Sequence, residues 1–140
     1  MELTHRPASR ILTIAIVELT LTTAYIHLTL GGLLFTLNAA GYAALAVALA
    51  VVAVVPHPFV QRFTWLPRIG LMAYTATTIG AYLVIGPYFS LGWVAKAIEV
   101  AILTLLFADL QRAYGSPAGL VRAALASLGL ARESGPMRAA

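Results

Sequence analysis

The stretch ILTIAIVELTLTTAYIHLTLGGLLFTLNAAGYAALAVALAVVAVV, residues 11–55, decides the fold, because Glu18 is its only charged residue. A bilayer core about 30 Å thick is crossed by about 20 apolar residues in a helix. The stretch is therefore too long for one crossing and suits two. Gly31, Gly32 and Asn38 mark the break between them, since glycine pairs interrupt helices and asparagine is a common helix cap.

Two further apolar stretches follow. Pro56 and Pro58 end the second span, and Gly86 with Pro87 ends the third, because proline supplies no backbone donor and restricts the residue before it. We predict four transmembrane helices at 11–30, 39–55, 68–85 and 91–111, with an interfacial loop at 59–67. Residues 1–112 then form one bundle, and 113–140 form a cytoplasmic tail that is either an amphipathic surface helix or disordered.

Composition supports a membrane protein. Hydrophobic residues make up 61% of the chain and charged residues only 10%, whereas a soluble domain carries about 25% charged residues. An ordinary soluble enzyme and a disordered chain are excluded on that ground. The chain has no cysteine, so disulfides and thiolate metal sites are excluded as well. The first apolar run is longer than the apolar region of a signal peptide, and we expect it to be a retained span.

Basic residues predict the orientation, because cytoplasmic loops carry an excess of arginine and lysine. Lys96 lies within the fourth span, and the other basic residues fall before span one, between spans two and three, or after span four: Arg6, Arg10, Arg62, Arg68, Arg112, Arg122, Arg132 and Arg138. We therefore predict an all-α, up-down-up-down four-helix bundle in the inner (plasma) membrane, with both termini cytoplasmic. The arginines are too scattered for nucleic-acid binding.

Glu18, Lys96 and Glu99 are predicted to lie inside spans, where an unpaired charge costs about 2.5–3.5 kcal/mol. Both acids lie roughly 12 Å from the start of their spans, near the midplane. One interpretation is a proton or ion relay or a polar-ligand site, to which Thr22, Tyr25 and Trp93 would contribute. The alternatives are a structural ion pair between spans one and four, or a misplaced span.

His27 lies near the outer end of span one and shares a side with Thr20 and Thr23, opposite Glu18. The favoured interpretation is a histidine hydrogen-bonded to a neighbouring helix. Two copies of His27 in a dimer could hold a b-type haem, and one copy could contact a quinone. We otherwise expect no cofactor and no metal site.

Span two carries a stripe of small residues, Ala40, Ala44 and Ala48, with Gly41 beside it. Small residues four apart allow helix backbones to approach closely. The stripe predicts that this helix is central in the bundle or forms an oligomer contact.

Residues 22–37 and 77–91 share a pattern of Thr-Thr, Ala-Tyr, apolar-Gly and Phe-hydroxyl-Leu. The pattern raises the hypothesis of an internal duplication of one helical hairpin, with a vestibule at the outer face between the two copies. Glycine–aromatic turns at any outer interface would give the same pattern.

Phosphate-loop, zinc-protease and serine-hydrolase motifs are missing. We expect a non-enzymatic membrane protein that acts as an accessory subunit or as a homo-oligomeric scaffold, in contact with lipid and with other membrane subunits. The alternative is a small transporter or proton-coupled carrier that uses Glu18, Lys96 and Glu99.

Overall fold

A computed structural model describes residues 6–130, and this part of the chain is helical throughout, apart from the turns. The helices are α1 (Arg6–Leu30), α2 (Leu33–Val54), α3 (Pro58–Arg62), α4 (Trp65–Ile85), α5 (Ser90–Tyr114) and α6 (Pro117–Ser127). Four of them, α1, α2, α4 and α5, are long and apolar enough to cross a membrane. The prediction of an all-α protein with four such helices is confirmed.

The connection between α1 and α2 is shorter than predicted. Only Gly31 and Gly32 separate the two helices, and both have a positive φ, of 71° and 83°, which glycine adopts without steric cost. Asn38 lies inside α2 and does not cap it. The second span therefore begins at residue 33 and not at 39, because two left-handed glycines reverse the chain without a longer loop.

The predicted interfacial loop at 59–67 is also largely helical. His57 caps α3, where its ring nitrogen accepts a hydrogen bond from the backbone N–H of Phe59. Pro67 lies in the first turn of α4, where the missing N–H of proline would have had no partner inside the helix. Pro67 is thus the third residue of a helix, whereas the sequence interpretation treated it as part of a loop.

The predicted ends of the second span at residue 55 and of the third span at residue 85 agree with the structure to within a residue, since α2 ends at Val54 and α4 at Ile85. Of the two alternatives for the tail, the segment 117–127 is a helix, capped by the Ser116 hydroxyl. It is joined to α4 by a hydrogen bond from Nε1 of Trp65 to Oγ of Ser127, 3.0 Å long. Residues 131–140 lie outside the described part.

The long helices contact one another in a ring, in which α1 packs on α2 and α5, and α4 packs on α5 and α2. The core between them is formed by Ile16, Tyr42, Leu49, Leu71, Ile102 and Leu106. Large apolar side chains such as Leu34 and Val84 also cover the outside. A protein with apolar groups both inside and outside fits a lipid environment, since lipid tails are as apolar as the core.

The alanine stripe of α2 does not pack in the core of the bundle. Ala40 and Ala44 are exposed and Ala48 is half-buried, while the buried stripe consists of Ala39, Tyr42, Ala46 and Leu49. The larger side chains of that second stripe fill the space between the helices, and the alanines are turned outward. Gly41, by contrast, does make a close contact, with the ring of Tyr74 on α4. An oligomer contact through the stripe stays a prediction.

Candidate functional site: a buried ion pair at the end of an apolar cavity

Lys96 and Glu99 form an ion pair on one face of α5. Nζ of Lys96 lies 2.6 Å from Oε2 of Glu99, and the two residues are 6% and 0% exposed. Residues three apart are neighbours on a helix surface, so Lys96 pairs with a carboxylate on the same helix. The pairing of Lys96 with an acid agrees with the sequence interpretation, but the pair does not link spans one and four.

Glu18 is not part of this cluster, contrary to the expected three-residue group. Its side chain is exposed on α1, as are those of Thr22 and Tyr25. The helical wheel correctly placed these residues opposite His27, but the buried face of α1 is the one that carries Ile16, Thr20, Thr23 and His27. Since α1 packs on its neighbours through that face, the Glu18 side must point outward.

The Glu99 carboxylate links α5 directly to α1 and α4, and it links α5 to α2 through Thr78. Its Oε1 accepts a hydrogen bond from the hydroxyl of Thr23 on α1, 3.4 Å long, and its Oε2 lies 3.2 Å from the hydroxyl of Thr78 on α4. That hydroxyl is in turn 2.6 Å from the hydroxyl of Tyr42 on α2. All four long helices therefore contribute to one polar network. A carboxylate buried this deeply needs such partners, because burying an unpaired charge is costly.

His27 approaches the same carboxylate from α1. Its Nδ1 lies 2.7 Å from the backbone oxygen of Thr23, and a carbonyl oxygen only accepts hydrogen bonds, so Nδ1 carries the ring proton. In the neutral ring Nε2 is then an acceptor, and it lies 3.7 Å from Oε1 of Glu99. If the ring is neutral and the carboxylate is ionised, two acceptor atoms face each other across this gap, which is longer than a hydrogen bond. A proton added to either atom would turn the two acceptors into a donor and an acceptor.

A cavity of about 320 Å³ leads to this network from the turns that connect α1 to α2 and α4 to α5. Its apolar lining comes from both turns and includes Leu30, Leu34, Phe35, Ile85, Pro87 and Phe89. Its polar lining includes His27, Tyr74, Thr78 and Lys96. Lys96 lies six residues, or roughly 9 Å, inside α5, so the polar end is the deep end. Small-molecule sites in proteins have this size and this mixture of surfaces.

Aromatic rings border Lys96 on the side of the α4–α5 turn. Nζ of Lys96 lies 5.3 Å from the ring centre of Tyr82, close enough for a cation–π attraction. Trp93 packs edge-on against Tyr82 and stacks on Tyr88, with ring centres 5.4 Å and 6.0 Å apart. Trp93 is 50% exposed, and it lies beside Lys96 in the lining of a second pocket on the outside of α4 and α5. Its share in the site stays a prediction.

A second ion pair, in which the carboxylate is buried and the guanidinium half-buried, was missed by the sequence interpretation. Asp109 on α5 is 3% exposed, and its Oδ2 accepts a hydrogen bond of 2.7 Å from Nε of Arg68 on α4. Asp109 lies within the predicted span 91–111 and belonged among the intramembrane charges, while Arg68 was taken only as a marker of topology. Tyr42 was missed as well, because nothing in the sequence separates it from the other span tyrosines.

Within residues 6–130 no group of three potential metal ligands comes together. His27 lies between the rings of Phe35 and Tyr42, with ring centres 6.3 Å and 5.6 Å away, and it is 3% exposed. Its hydrogen bond is to its own helix, whereas a neighbouring helix was expected. The haem and quinone hypotheses stay predictions. Comparison with known proteins gives no match to this chain, whether by family model, by curated sequence or by solved structure.

Proposed function

We propose that this protein is a small membrane carrier that binds a mostly apolar molecule with one polar end in the cavity between its four long helices. The observation that carries the proposal is that the cavity leads to a buried charge, because Lys96 lines it and is paired with Glu99. An ionisable residue inside a membrane is expensive, and such residues commonly mark substrate or ion pathways. The proposal includes no chemical step on the ligand.

The two ion pairs of the bundle offer an internal comparison. Arg68 and Asp109 join α4 to α5, and neither of them lines the cavity, as expected of a pair that only holds helices together. Lys96 differs in facing an open cavity of ligand size. The position of Lys96 beside the cavity supports a ligand site in preference to a purely structural ion pair. The carrier hypothesis is thus kept, with His27 in the place that Glu18 had.

The proposal also includes an orientation. We place the protein in the inner (plasma) membrane as an up-down-up-down bundle, with both termini in the cytoplasm and the cavity open toward the outer side. Support comes from the exposed Arg10, Arg62, Arg112 and Arg122 together with the uncharged turns at 31–32 and 86–89. Arginines collect on the cytoplasmic side of membrane proteins.

A set of three probes with the same phenylpropyl body tests ligand binding: 4-phenylbutanoic acid, 4-phenylbutanamide and 4-phenylbutylamine. The protein is reconstituted in lipid nanodiscs, and its melting temperature is measured with each probe, with empty nanodiscs as the blank. A ligand that binds the folded state raises the melting temperature, by an amount that corresponds to about 2.7 kcal/mol at one hundred times Kd. We expect at least one probe to do so.

Two matched variants on α4 place the binding in the cavity. Ala81 lines the cavity, and Ala73, two turns earlier, is exposed outside it. Ala81→Phe is expected to abolish the probe-induced shift, and Ala73→Phe to keep it. The carrier proposal fails if no probe stabilises the wild type, or if Ala81→Phe responds as the wild type does.

The outward-facing alanine stripe favours a second candidate function, that of accessory subunit or homo-oligomeric scaffold. Ala40 and Ala44 present small side chains on an exposed face of α2, and small residues of this spacing allow close contact between helices in lipid. Ala44→Leu is expected to disrupt assembly in mild detergent while the melting temperature of the bundle stays unchanged. If Ala44→Leu is crosslinked in native membranes to the same extent as the wild type, this second candidate function is excluded.

A further inference from the structure

The side of the ion pair that meets the cavity is the cationic side. Lys96 and His27 line the cavity, whereas Glu99 is fully buried behind them. A ligand that reaches the deep end therefore meets an ammonium group, an imidazole and the hydroxyl groups of Tyr74 and Thr78. An amine would be repelled by Lys96, while an oxygen acid could form a charge-assisted hydrogen bond with it.

The network has one cation for one anion. Nζ of Lys96 donates to Oε2 of Glu99 at 2.6 Å and reaches the backbone oxygen of Thr78 at 3.4 Å. If a second carboxylate arrived as an anion and Glu99 stayed ionised, the site would hold one uncompensated buried charge, which is strongly unfavourable. An acid can bind without this cost only if a proton arrives with it.

The gap between His27 and Glu99 offers a place for that proton. Nε2 of His27 and Oε1 of Glu99 are 3.7 Å apart, and Nδ1 already donates to a backbone oxygen. A proton on Oε1 would turn two facing acceptors into a donor and an acceptor. The same proton would neutralise Glu99 and release Lys96 to pair with another anion.

We propose, building on the carrier function above, that the ligand is a small lipophilic carboxylic acid taken up together with its proton. The net change is that RCOOH gives up its proton, Oε1 of Glu99 carries that proton, and the resulting RCOO⁻ replaces Glu99 as the partner of the Lys96 ammonium; His27, which lines the cavity beside Glu99, can pass the proton on. Before binding, the site holds Lys96⁺ and Glu99⁻. After binding, it holds Lys96⁺ and RCOO⁻, with neutral Glu99 donating to Nε2 of His27. The charge of the site is the same before and after.

The other titratable groups around the pair do not change this balance. Tyr42 faces the network from α2, and Tyr74 and Tyr82 face it from α4. Tyrosine is neutral near pH 7, with a reference pKa of about 10, so these three act as hydrogen-bonding or ring groups. The proton that arrives with the acid is therefore held between Glu99 and His27, and Lys96 stays an ammonium group throughout.

Proton uptake gives the test. At pH 7 a carboxylic acid in water is ionised, so each bound acid must take one proton from the buffer. The affinity of 4-phenylbutanoic acid, measured by isothermal titration calorimetry in nanodiscs, is therefore expected to fall about tenfold per pH unit between pH 6 and pH 8. The affinity of 4-phenylbutanamide should not depend on pH and should be about tenfold weaker at pH 6.

Two variants on different faces of the bundle sharpen the result. Glu99→Gln removes the proton acceptor and leaves Lys96 without an anion, so it should bind the acid with no dependence on pH. Glu18→Gln removes an exposed carboxylate and should keep the wild-type slope. If Glu99→Gln does not fold, two measurements on the wild type still decide the question. They are the change of the acid's affinity with pH and the order of the three affinities, in which the acid should bind most tightly, the amide less and the amine least.

The inference fails if the wild type binds the acid with no dependence on pH, or if the amide or the amine binds as tightly as the acid. In both cases the carrier function stands with another ligand class. If none of the three probes binds, the carrier proposal fails together with this inference.

Discussion

Nε of Arg68 on α4 donates to Oδ2 of Asp109 on α5 over 2.7 Å, and Nη1 of the same guanidinium donates to the backbone oxygen of Thr64. The carboxylate is 3% exposed, and its removal leaves the Arg68 guanidinium without an anion. We expect Asp109→Asn to lower the free energy of unfolding by about 3 kcal/mol, measured by unfolding in sodium dodecyl sulfate from mild detergent. Arg112→Gln, at an exposed position, is the control and should have little effect. Equal effects of the two variants would contradict a structural role for the pair.

Replacement of Glu18 and of Glu99, two acids within the long helices, is expected to change the stability of the protein to very different extents. Glu99→Gln leaves Lys96 buried without an anion, and we expect a loss of about 3 kcal/mol. Glu18→Gln replaces an exposed charge by a neutral group and should leave stability unchanged or raise it slightly. Thermal unfolding of both variants in the same nanodiscs measures the difference. A larger loss of stability for Glu18→Gln than for Glu99→Gln would mean that the Glu18 side of α1 is buried and its His27 side exposed.

Gly41 is expected to be intolerant of substitution because of its contact with α4. A Cβ atom at this position would overlap the ring of Tyr74, whose hydroxyl donates to the backbone oxygen of Asn38. We expect Gly41→Ala to lower the free energy of unfolding by about 1–3 kcal/mol through overpacking. The control is Gly80→Ala, because a Cβ at Gly80 meets no atom within 4 Å and alanine favours helix. Equal stability of the two variants would exclude the close approach of α2 and α4.

The absence of cysteine from the chain allows the proposed orientation to be tested by labelling single cysteines. Tyr88→Cys is expected to react with a membrane-impermeant maleimide added to intact cells, because Tyr88 is exposed in the α4–α5 turn. Arg62→Cys and Arg112→Cys should react only after the cells are opened. Labelling of Arg112→Cys in intact cells would place the end of α5 outside and overturn the orientation.

The number and positions of the long helices could be predicted from the sequence, because hydropathy and proline reflect the cost of exposing backbone groups to lipid. The exact turn at 31–32 could not, since the glycines permit a turn of two residues but do not require one. Loop 59–67 was misinterpreted for a similar reason: Pro67 is compatible both with a loop and with the first turn of a helix.

The site was predictable only in part. The pattern of Lys96 and Glu99 three residues apart predicts their contact, and the wheel of α1 correctly divided its polar residues between two opposite sides. Which side packs inward depends on the neighbouring helices, and the sequence of one helix does not contain that information. Glu18 was therefore chosen and Thr23 was not, although a buried threonine beside the carboxylate is what the network uses.

The α1–α2 and α4–α5 hairpins differ in the length of their connecting turns and in how extensively their helices pack. α1 and α2 are joined by two glycines and pack on each other most extensively of all the helix pairs, whereas four residues, 86–89, connect α4 to α5. We therefore expect the first hairpin to be the stiffer of the two. If a ligand enters between the two hairpins, the α4–α5 hairpin is expected to move more than the α1–α2 hairpin. The α4–α5 hairpin also carries Lys96, the residue that is proposed to bind the ligand.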